Sequence, residues 1–315
     1  MGRIPILSSF LDSITVRSDF TLRSINGFSE KPCSLGVVIS TYNNPRWLEK
    51  TLWGYLGQQY GRTPVELLIA DDGSDDKTRE LIDRYRFEFT WPIKHVWHPD
   101  NGFRKCEILN RTIWEACSDY LVFADQDCIP YPNNLEMHYQ YSQRGWFISG
   151  GNIRLPLEAS LEITRSDIER GVIFSSQWLL NHCNTDRKWN PFRWSFLFSP
   201  SLMNWITTTS ATWNGGTSSC WRDDALLVNG FNESMRHGGL DREFGERLIN
   251  AGIRAKQCRY SLRSLHLDHS RPYADPVGRE QNNAIRKQVQ NERIIETPHG
   301  IRQHLPEWTE RRKAA

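Results

Sequence analysis

The chain has 315 residues, which is enough for one large α/β domain or two small ones. Its 39 Lys and Arg residues nearly balance 37 Asp and Glu residues, and the net charge of +2 indicates neither a nucleic-acid-binding protein nor an acidic tail. The seven cysteines are dispersed without a Cys-x-x-Cys pair, and no apolar run has the length of a signal peptide or a membrane span. We therefore expect a cytoplasmic protein without a disulfide framework, soluble or at most peripheral to the inner face of a membrane.

Apolar strands alternate with amphipathic helices in the first half of the chain, after a leader over 1–34 that has no sustained period. Strands are predicted at 35–41, 64–70, 93–97 and from 120 onward, and helices at 46–58, 77–88 and 105–117. This alternation predicts an α/β fold with a doubly wound, mostly parallel sheet. The chain lacks both the Gly-x-Gly-x-x-Gly and the phosphate-loop fingerprints, so a nucleotide would have to be bound through acids and a metal.

Two acids stand one residue apart at the end of the strand that begins at Tyr120. Asp125 and Asp127 are therefore expected at the carboxyl end of a strand, where open α/β sheets bind ligands. Paired carboxylates there suit hard cations such as Mg²⁺ or Mn²⁺. Asp71 ends the second strand in the same way. An isolated Asp-x-Asp is also common as an acidic surface turn, and this alternative stays open on the turn alone.

The second half of the chain has weaker periodicity but three features of chemical interest. Gly215 and Gly216 form a turn that enters a strand, where backbone can approach a ligand closely. Asp241 begins a predicted helix, either as an N-cap or as a functional acid. His266 and His269 can share a metal only if the chain turns between them. Further predicted elements are helices at 133–144, 222–228, 242–251 and 278–295 and a strand at 146–151.

Residues 152–212 are rich in polar and aromatic side chains, and aromatic side chains are most frequent at 189–198. That stretch fits a lid, an acceptor platform or a patch resting on lipid, and a plain core-and-loop segment is an equal alternative. Membrane contact would use its Arg193 together with basic residues near the carboxyl terminus, for which a solvated tail is the alternative. These basic residues are Arg302, Arg311, Arg312 and Lys313.

Eight motifs resemble those of known enzymes. In the first half they are Val-Val-Ile-Ser-Thr-Tyr-Asn (37–43), Ile-Ala-Asp-Asp-Gly-Ser (69–74), Asn-Gly-Phe-Arg-Lys-Cys-Glu-Ile-Leu-Asn (101–110) and Phe-Ala-Asp-Gln-Asp (123–127). Their order and spacing resemble the family 2 glycosyltransferases of GT-A fold. In the second half they are Trp-Asn-Gly-Gly-Thr-Ser-Ser (213–219), Val-Asn-Gly-Phe-Asn-Glu (228–233), His-Gly-Gly-Leu-Asp (237–241) and His-Leu-Asp-His-Ser-Arg (266–271). These resemble the carboxyl-terminal catalytic module of β-1,4-galactosyltransferases, which also occurs in bacterial family 2 enzymes of surface polysaccharide synthesis.

The resemblance covers about 35–275 and implies a GT-A fold, with a Rossmann-like, mostly parallel central sheet flanked by helices. It implies a nucleotide-binding half over 35–130 and an acceptor-side catalytic half over 131–275. The remaining 276–315 would form a basic helix and tail. The implied activity is a metal-dependent, inverting hexosyl transfer in polysaccharide synthesis. Its donor would be a nucleotide-sugar, with UDP expected, and its acceptor a saccharide or a lipid-linked glycan.

The same resemblance assigns roles to individual residues. Asp125 and Asp127 fall on the Asp-x-Asp motif, whose second acid binds Mn²⁺ or Mg²⁺. His266 and His269 fall on the pair that completes the metal site, and Asp241 falls on the catalytic base.

On the donor side, the resemblance places Asp71 on the acid that hydrogen-bonds the base. Thr41 and Tyr42 lie on the loop that packs against the nucleoside, and Lys105 lies near a basic position that reaches a phosphate. The donor sugar would be selected by the pocket around 150–152 and 213–217, which the motifs do not specify.

Three residues depart from the family pattern, and they limit which properties of the family can be inferred for this chain. His237 and Leu240 replace a Trp and a Glu, so the acceptor of the galactosyltransferases is not implied. His266 replaces a Met. An imidazole is a harder ligand than a thioether, so the range of metals that the site is expected to use widens toward Mg²⁺.

Two other functions are compatible with parts of the sequence. A nucleotide-sugar pyrophosphorylase would share the α/β sheet and the metal-binding acids, but it would need a glycine-rich basic loop after the first strand, which 41–45 is not. A non-catalytic sugar-binding or scaffold subunit of a polysaccharide assembly complex would bind sugar without turnover.

Overall fold

The structure is a computed structural model that describes residues 31–183, 199–269 and 276–314, with side chains described to residue 310. These residues lie in the compact unit Lys31–Ala315. Most of the predicted leader, the aromatic stretch 189–198 and the side chains of Arg311, Arg312 and Lys313 lie outside the described residues.

A seven-stranded sheet forms the centre of the fold, in the order β3-β2-β1-β4-β8-β6-β9. The strands β3, β2, β1 and β4 run parallel, and β8 is antiparallel to both β4 and β6. The predicted mostly parallel sheet is thereby confirmed. Its strands are β1 Leu35–Thr41, β2 Val65–Asp71, β3 Ile93–Trp97, β4 Tyr120–Asp125, β6 Trp146–Ser149, β8 Ser218–Trp221 and β9 Arg254–Gln257.

Three helices cross between the parallel strands and cover both faces of the sheet. Alternate side chains of a strand point to opposite faces, so Val37 and Leu67 pack with the helices α1 and α2, whereas Val38 and Leu68 pack with α3. All four side chains are completely buried, and each contributes about 1.5–3 kcal/mol of burial free energy. The helices are α1 Pro45–Leu56, α2 Asp76–Tyr85 and α3 Lys105–Glu115.

A strand is present where 146–151 was predicted, but its predicted extent is wrong, because the chain changes sheets within this range. The β6 strand ends at Ser149, and β7 begins at Gly151 in a second sheet. A β-carbon on Gly150 would lie 2.8 Å from Thr217 O, and one on Gly151 would lie 2.6 Å from Arg259 O. Only glycine, which lacks a β-carbon, lets the backbone pass between these segments. The periodicity of apolar residues in the sequence does not indicate where a strand bends.

The second sheet has three strands in the order β5-β10-β7. Its central strand β10 is antiparallel to β5 and parallel to β7. Because β5 starts three residues after β4 ends, this small sheet begins directly beside the Asp-x-Asp turn. Its strands are β5 Cys128–Pro130, β7 Gly151–Arg154 and β10 Arg263–His266.

The remaining helices surround these two sheets. The region 152–212, for which no regular elements were predicted, contains β7 and several short helices around a small apolar core. The helices are α4 Asn134–Tyr141, α5 Leu157–Glu162, α6 Arg165–Glu169, α7 Ser176–His182, α8 Pro200–Ile206, α9 Arg222–Leu227, α10 Leu240–Asn250, α11 Pro276–Glu292 and α12 Leu305–Ala314, with 3₁₀ turns at Val172–Phe174 and Ile301–His304. Among the described residues, every helix is too short or too polar to span a lipid bilayer.

Candidate functional site

The carboxyl ends of the parallel strands meet at one edge of the large sheet. Thr41 at the end of β1 is paired with Asp71 at the end of β2, and Ser40 is paired with Asp125 at the end of β4. The expectation that Asp71 and Asp125 each stand at the carboxyl end of a strand is therefore correct, and their strands β2 and β4 lie on either side of β1.

Asp125 is held in a fixed orientation by two donors. Its Oδ1 accepts a hydrogen bond from Ser40 Oγ at 2.7 Å and one from Lys105 Nζ at 2.6 Å. Lys105 is the first residue of α3. Burial by itself would lower the pKa of Lys105, but the charges of Asp125, Asp241 and Asp127 outweigh it, and the pKa is raised. The ammonium therefore stays charged and is directed into a group of three carboxylates.

Asp127 lies in the turn between β4 and β5, where two histidines approach it. Its Oδ2 is 2.8 Å from His269 Nε2 and 3.8 Å from His266 Nε2. The side chain of Asp127 is 8% exposed. Burial raises its pKa, but the hydrogen bond from His269 and the charges of both histidines lower it further than burial raises it. The carboxylate is thus ionised.

His266 is the last residue of β10, and His269 lies in the irregular segment that follows it. Their rings are nearly parallel, with centroids 5.9 Å apart. One carboxylate and two imidazoles that converge in this way form a donor set suited to a divalent cation such as Mn²⁺.

Asp241 lies in the first turn of α10 but is not its N-cap, so the N-cap alternative is wrong. The N-cap is Gly239, which has a left-handed backbone with φ of 89°. Asp241 Oδ1 is buried and lacks a hydrogen-bond partner within the described part of the chain, while the carboxylate accepts from the backbone N–H of Gly215. Burial raises the pKa of Asp241 to about 6, with Lys105 opposing the shift and Asp125 adding to it.

A buried ion pair fixes the helix that carries Asp241. Glu243 and Arg247 lie one turn apart on α10, and both side chains are 0% exposed. Arg247 also donates to the carbonyl oxygens of Val228 and Gly230, so every charge in the group has a partner. Asp241 is therefore carried by a helix with a rigid attachment to the core.

Gly215 separates the two carboxylates at the centre of the site. A β-carbon on Gly215 would lie 3.1 Å from Asp241 Oδ1 and 3.4 Å from Asp125 Oδ1. The neighbouring Gly216 passes just as closely over Asn152 Nδ2, where a β-carbon would come within 2.5 Å. The prediction that backbone approaches other groups closely at this turn is correct for protein groups, and its contact with a ligand stays a prediction.

If the site catalyses the sugar transfer that the sequence resemblance implies, we expect Gly215→Ala to lower its rate by roughly 10²-fold, the cost of a misplacement of about 1 Å at a reacting centre. The added methyl group would crowd the space between Asp125 and Asp241. Because Gly215 does not have a positive φ, its backbone conformation is open to an alanine. Gly61→Ala is the matched control, since a β-carbon there meets nothing within 4 Å. Rates and unfolding midpoints of both variants test this. A rate loss shared by Gly61→Ala would contradict the explanation.

The residues predicted to contact the nucleoside lie at the same edge of the sheet, but their side chains form hydrogen bonds with other protein groups. Asp71 is 1% exposed, and its carboxylate accepts from Ser74 N–H at 2.8 Å and lies 2.8 Å from His95 Nε2. Tyr42 is 42% exposed and donates its hydroxyl to Asp100. Their contact with a base or a ribose stays a prediction.

Gln126 is a residue of the site that the sequence interpretation missed. Its Oε1 accepts from Thr41 Oγ1 at 2.6 Å and from Tyr42 N–H at 3.1 Å, and its Nε2 donates to Tyr42 O at 3.3 Å. The middle residue of the Asp-x-Asp turn thus fixes the loop after β1. Its position within the motif was the available signal, but its partners are 84 and 85 residues away in the chain.

For the nucleotide-sugar donor that the sequence resemblance implies, we expect Gln126→Leu to raise KM by roughly tenfold while kcat changes little. The substitution removes hydrogen bonds worth about 1–3 kcal/mol from a loop rather than from a reacting group. Gln143→Leu is the control, because that side chain is exposed. Initial rates over a range of donor concentrations give both constants. An unchanged KM in Gln126→Leu would contradict the positioning role.

Comparison with known proteins gives one family match. The model of glycosyl transferase family 2 matches residues 36–212. Validoxylamine A glucosyltransferase from Streptomyces hygroscopicus subsp. jinggangensis is 32% identical over 102 residues, which are 32% of this chain and 24% of that protein. Chondroitin synthase from Escherichia coli is 34% identical over 98 residues, which are 31% of this chain and 14% of that protein. The chain therefore matches a quarter or less of the length of these relatives.

Two solved structures resemble the whole fold. A mannosyltransferase from Pyrobaculum calidifontis, in complex with GDP-Man and Mn²⁺, has a TM-score of 0.55 and 15% identity, covering 96% of this chain and 77% of its own. Residues 1–349 of S. aureus TarS, in complex with UDP-GlcNAc, have a TM-score of 0.54 and 14% identity, covering 89% of this chain and 73% of that one. At these identities the likeness concerns the fold alone.

Proposed function

The chain belongs to glycosyl transferase family 2 and has the GT-A fold, and from this premise we propose that it is a metal-dependent, inverting glycosyltransferase. It would move a hexose or an N-acetylhexosamine from a nucleotide-sugar to a glycan or a lipid-linked saccharide in polysaccharide synthesis. The observation that carries the proposal is the arrangement of Asp241 and Asp127. A carboxylate with a raised pKa lies beside the Asp-x-Asp turn, whose second acid faces two histidines.

Asp127, His266 and His269 are the residues that would hold Mn²⁺ or Mg²⁺. When bound, the ion supplies positive charge for the diphosphate that leaves the sugar. Lys105 would add a second positive charge at the same edge, supported by its raised pKa and its position at the start of α3. On donor binding its ammonium would exchange Asp125 for a phosphate oxygen.

Asp241 would act as the general base. A pKa of about 6 leaves it ionised at neutral pH yet basic enough to accept a proton from an acceptor hydroxyl. Its Oδ1 lacks a hydrogen-bond partner within the described residues, so this oxygen has a lone pair for that proton. With the diphosphate held at the Asp127 side and the acceptor at the Asp241 side, a single displacement would invert the anomeric configuration.

We propose UDP as the nucleotide, with Asp71 binding the base and Thr41 and Tyr42 bordering the nucleoside. The two structural neighbours carry GDP-Man and UDP-GlcNAc, so the fold accommodates both kinds of donor. The boundaries proposed for the two functional halves remain 35–130 for the nucleotide and 131–275 for the acceptor.

The proposed location is the cytoplasm, supported by the seven free cysteines. A peripheral contact with the inner face of the membrane remains part of the proposal if the acceptor is lipid-linked. The part of the basic tail that the structure describes supports this contact weakly, because Arg302 is paired with Glu296.

The proposal is tested by incubating the protein with UDP-, GDP- and CMP-sugars in the presence of Mn²⁺, Mg²⁺ or EDTA and measuring released nucleotide. We expect metal-dependent release from one donor, suppressed by EDTA. Donor binding without release or transfer would favour a scaffold subunit. Release of pyrophosphate from a nucleoside triphosphate and a sugar phosphate would favour a nucleotidyltransferase. The absence of both binding and release would contradict the proposal.

A further inference from the structure

The residue after the Asp-x-Asp turn brings a sulfur atom to the proposed metal site. Cys128 is the first residue of β5, and it is paired across the small sheet with His266, the last residue of β10. Ligand atoms of Asp127, Cys128 and His266 all lie within 4.8 Å of one another. Cys128 Sγ is 3.4 Å from Asp127 Oδ1.

The surroundings of Cys128 differ from those of a cysteine in an apolar core. The residue is 1% exposed, yet its thiol faces a carboxylate, and an imidazole stands on the neighbouring strand. The turn at Gly216 closes over it, since a β-carbon there would come 2.9 Å from Sγ and 2.5 Å from Asn152 Nδ2. The sulfur is therefore enclosed on the side of the site, among groups that bind cations.

We propose that Cys128 is a ligand of the divalent cation, so that the site has a mixed oxygen, nitrogen and sulfur donor set. This inference rests on the metal site of the proposed function. On binding, the thiol releases its proton to solvent and the sulfur binds as the thiolate. A thiolate is a soft ligand that favours Co²⁺, Zn²⁺ and other later transition metals over Mg²⁺. A thiolate ligand would thereby oppose the wider use of Mg²⁺ that was expected from His266 in place of a Met.

Titration of the full-length protein with Co²⁺ tests the proposal without relying on activity. Co²⁺ bound by protein ligands gives visible d–d bands, and a thiolate ligand adds a near-ultraviolet charge-transfer band. We expect both in the wild type. Cys128→Ser should keep the visible bands and lose the near-ultraviolet band, because Asp127 and the histidines remain. Cys33→Ser and Cys117→Ser are controls, since both side chains are exposed, and both should keep all bands.

Affinities provide a second, independent readout. We expect Cys128→Ser and Cys128→Ala to weaken Co²⁺ and Zn²⁺ binding by at least about tenfold. Loss of a residue that only hydrogen-bonds a metal ligand already weakens metal binding by about 10–100-fold. Binding of Mg²⁺ should be unchanged. Visible bands without the charge-transfer band in the wild type would overturn the role of Cys128 while leaving the metal site intact. The absence of any Co²⁺ band in the wild type would contradict the metal site and this inference together.

Discussion

We expect Asp241→Asn to lower kcat for glycosyl transfer by about 10²–10⁴-fold, the usual contribution of a positioned general base, while donor binding is nearly unchanged. An amide of the same size keeps the packing at the start of α10 but cannot accept the proton of the acceptor hydroxyl. Rates and donor affinity measured on the same preparation separate the two effects. An equal loss of donor affinity would contradict the assignment.

The same variant should be more stable than the wild type at neutral pH. Asp241 has a pKa of about 6 in the folded protein against 3.8 for the free side chain. A raised acid pKa means that ionisation of Asp241 does not affect stability below about pH 4 and destabilises the folded protein increasingly as the pH rises through 6. Removing the charge should therefore raise the free energy of unfolding at pH 7 by up to about 3 kcal/mol. The gain should disappear toward pH 4.

Asp223→Asn is the matched control for both measurements. Asp223 also lies in the first turn of a helix, α9, but its side chain is 75% exposed. It should leave the rate unchanged and stability within about 0.5 kcal/mol, as is usual for surface positions. If Asp223→Asn stabilised the protein as much as Asp241→Asn, a general charge effect would explain both.

The pKa of Asp241 also determines the pH at which activity falls on the acid side of the pH–rate profile. Because the base must be ionised, kcat/KM should fall about tenfold per pH unit below pH 6. An acid limb near pH 4 would show that the proton acceptor is a group with an ordinary carboxyl pKa.

The second large effect is expected for Asp127→Ala. Among the described residues, Asp127 is the only acid in the donor set that it forms with the two histidines. Its loss should therefore abolish metal-dependent transfer. The wild type should also gain about 2.7 kcal/mol of stability at a metal concentration of 100 Kd, and the variant should gain none. Thermal unfolding with and without Mn²⁺ measures this difference.

Asp268→Ala controls for the loss of a negative charge near the site. Asp268 lies between the two histidines in sequence, but its residue is exposed. We expect it to keep both transfer and the stabilisation by Mn²⁺. If Asp127→Ala were still stabilised by Mn²⁺ as strongly as the wild type, the metal would have to be held elsewhere.

The parts of the fold that could be predicted from the sequence depend on local signals. Buried strands such as Leu35–Thr41 are continuous apolar runs that end in polar turns, and their acids fall at the carboxyl ends by simple counting. The order of strands and helices then fixes the mostly parallel topology. His266 and His269, which we propose as metal ligands, could be named from the resemblance to the family motif. Their distances from Asp127 became known only from the folded chain.

The parts that could not be predicted depend on contacts between distant segments. Gln126 binds the loop after β1 across more than 80 residues, and Cys128 reaches His266 only through strand pairing. At Gly150, where the chain changes sheets, the backbone passes close to Thr217 O, a contact with a distant segment that the local sequence does not indicate. The raised pKa of Asp241 comes mainly from burial, which a first-turn position in a helix does not indicate.

In the proposed function, the diphosphate and the base lie on opposite sides of the transferred sugar. The most direct test is the anomeric configuration of the first product, followed by NMR during transfer from the donor that the nucleotide-release assay identifies. The arrangement of Asp127 and Asp241 predicts inversion, with the acceptor attacking from the Asp241 side. A product that retains the donor's configuration would contradict a single displacement with Asp241 as its base.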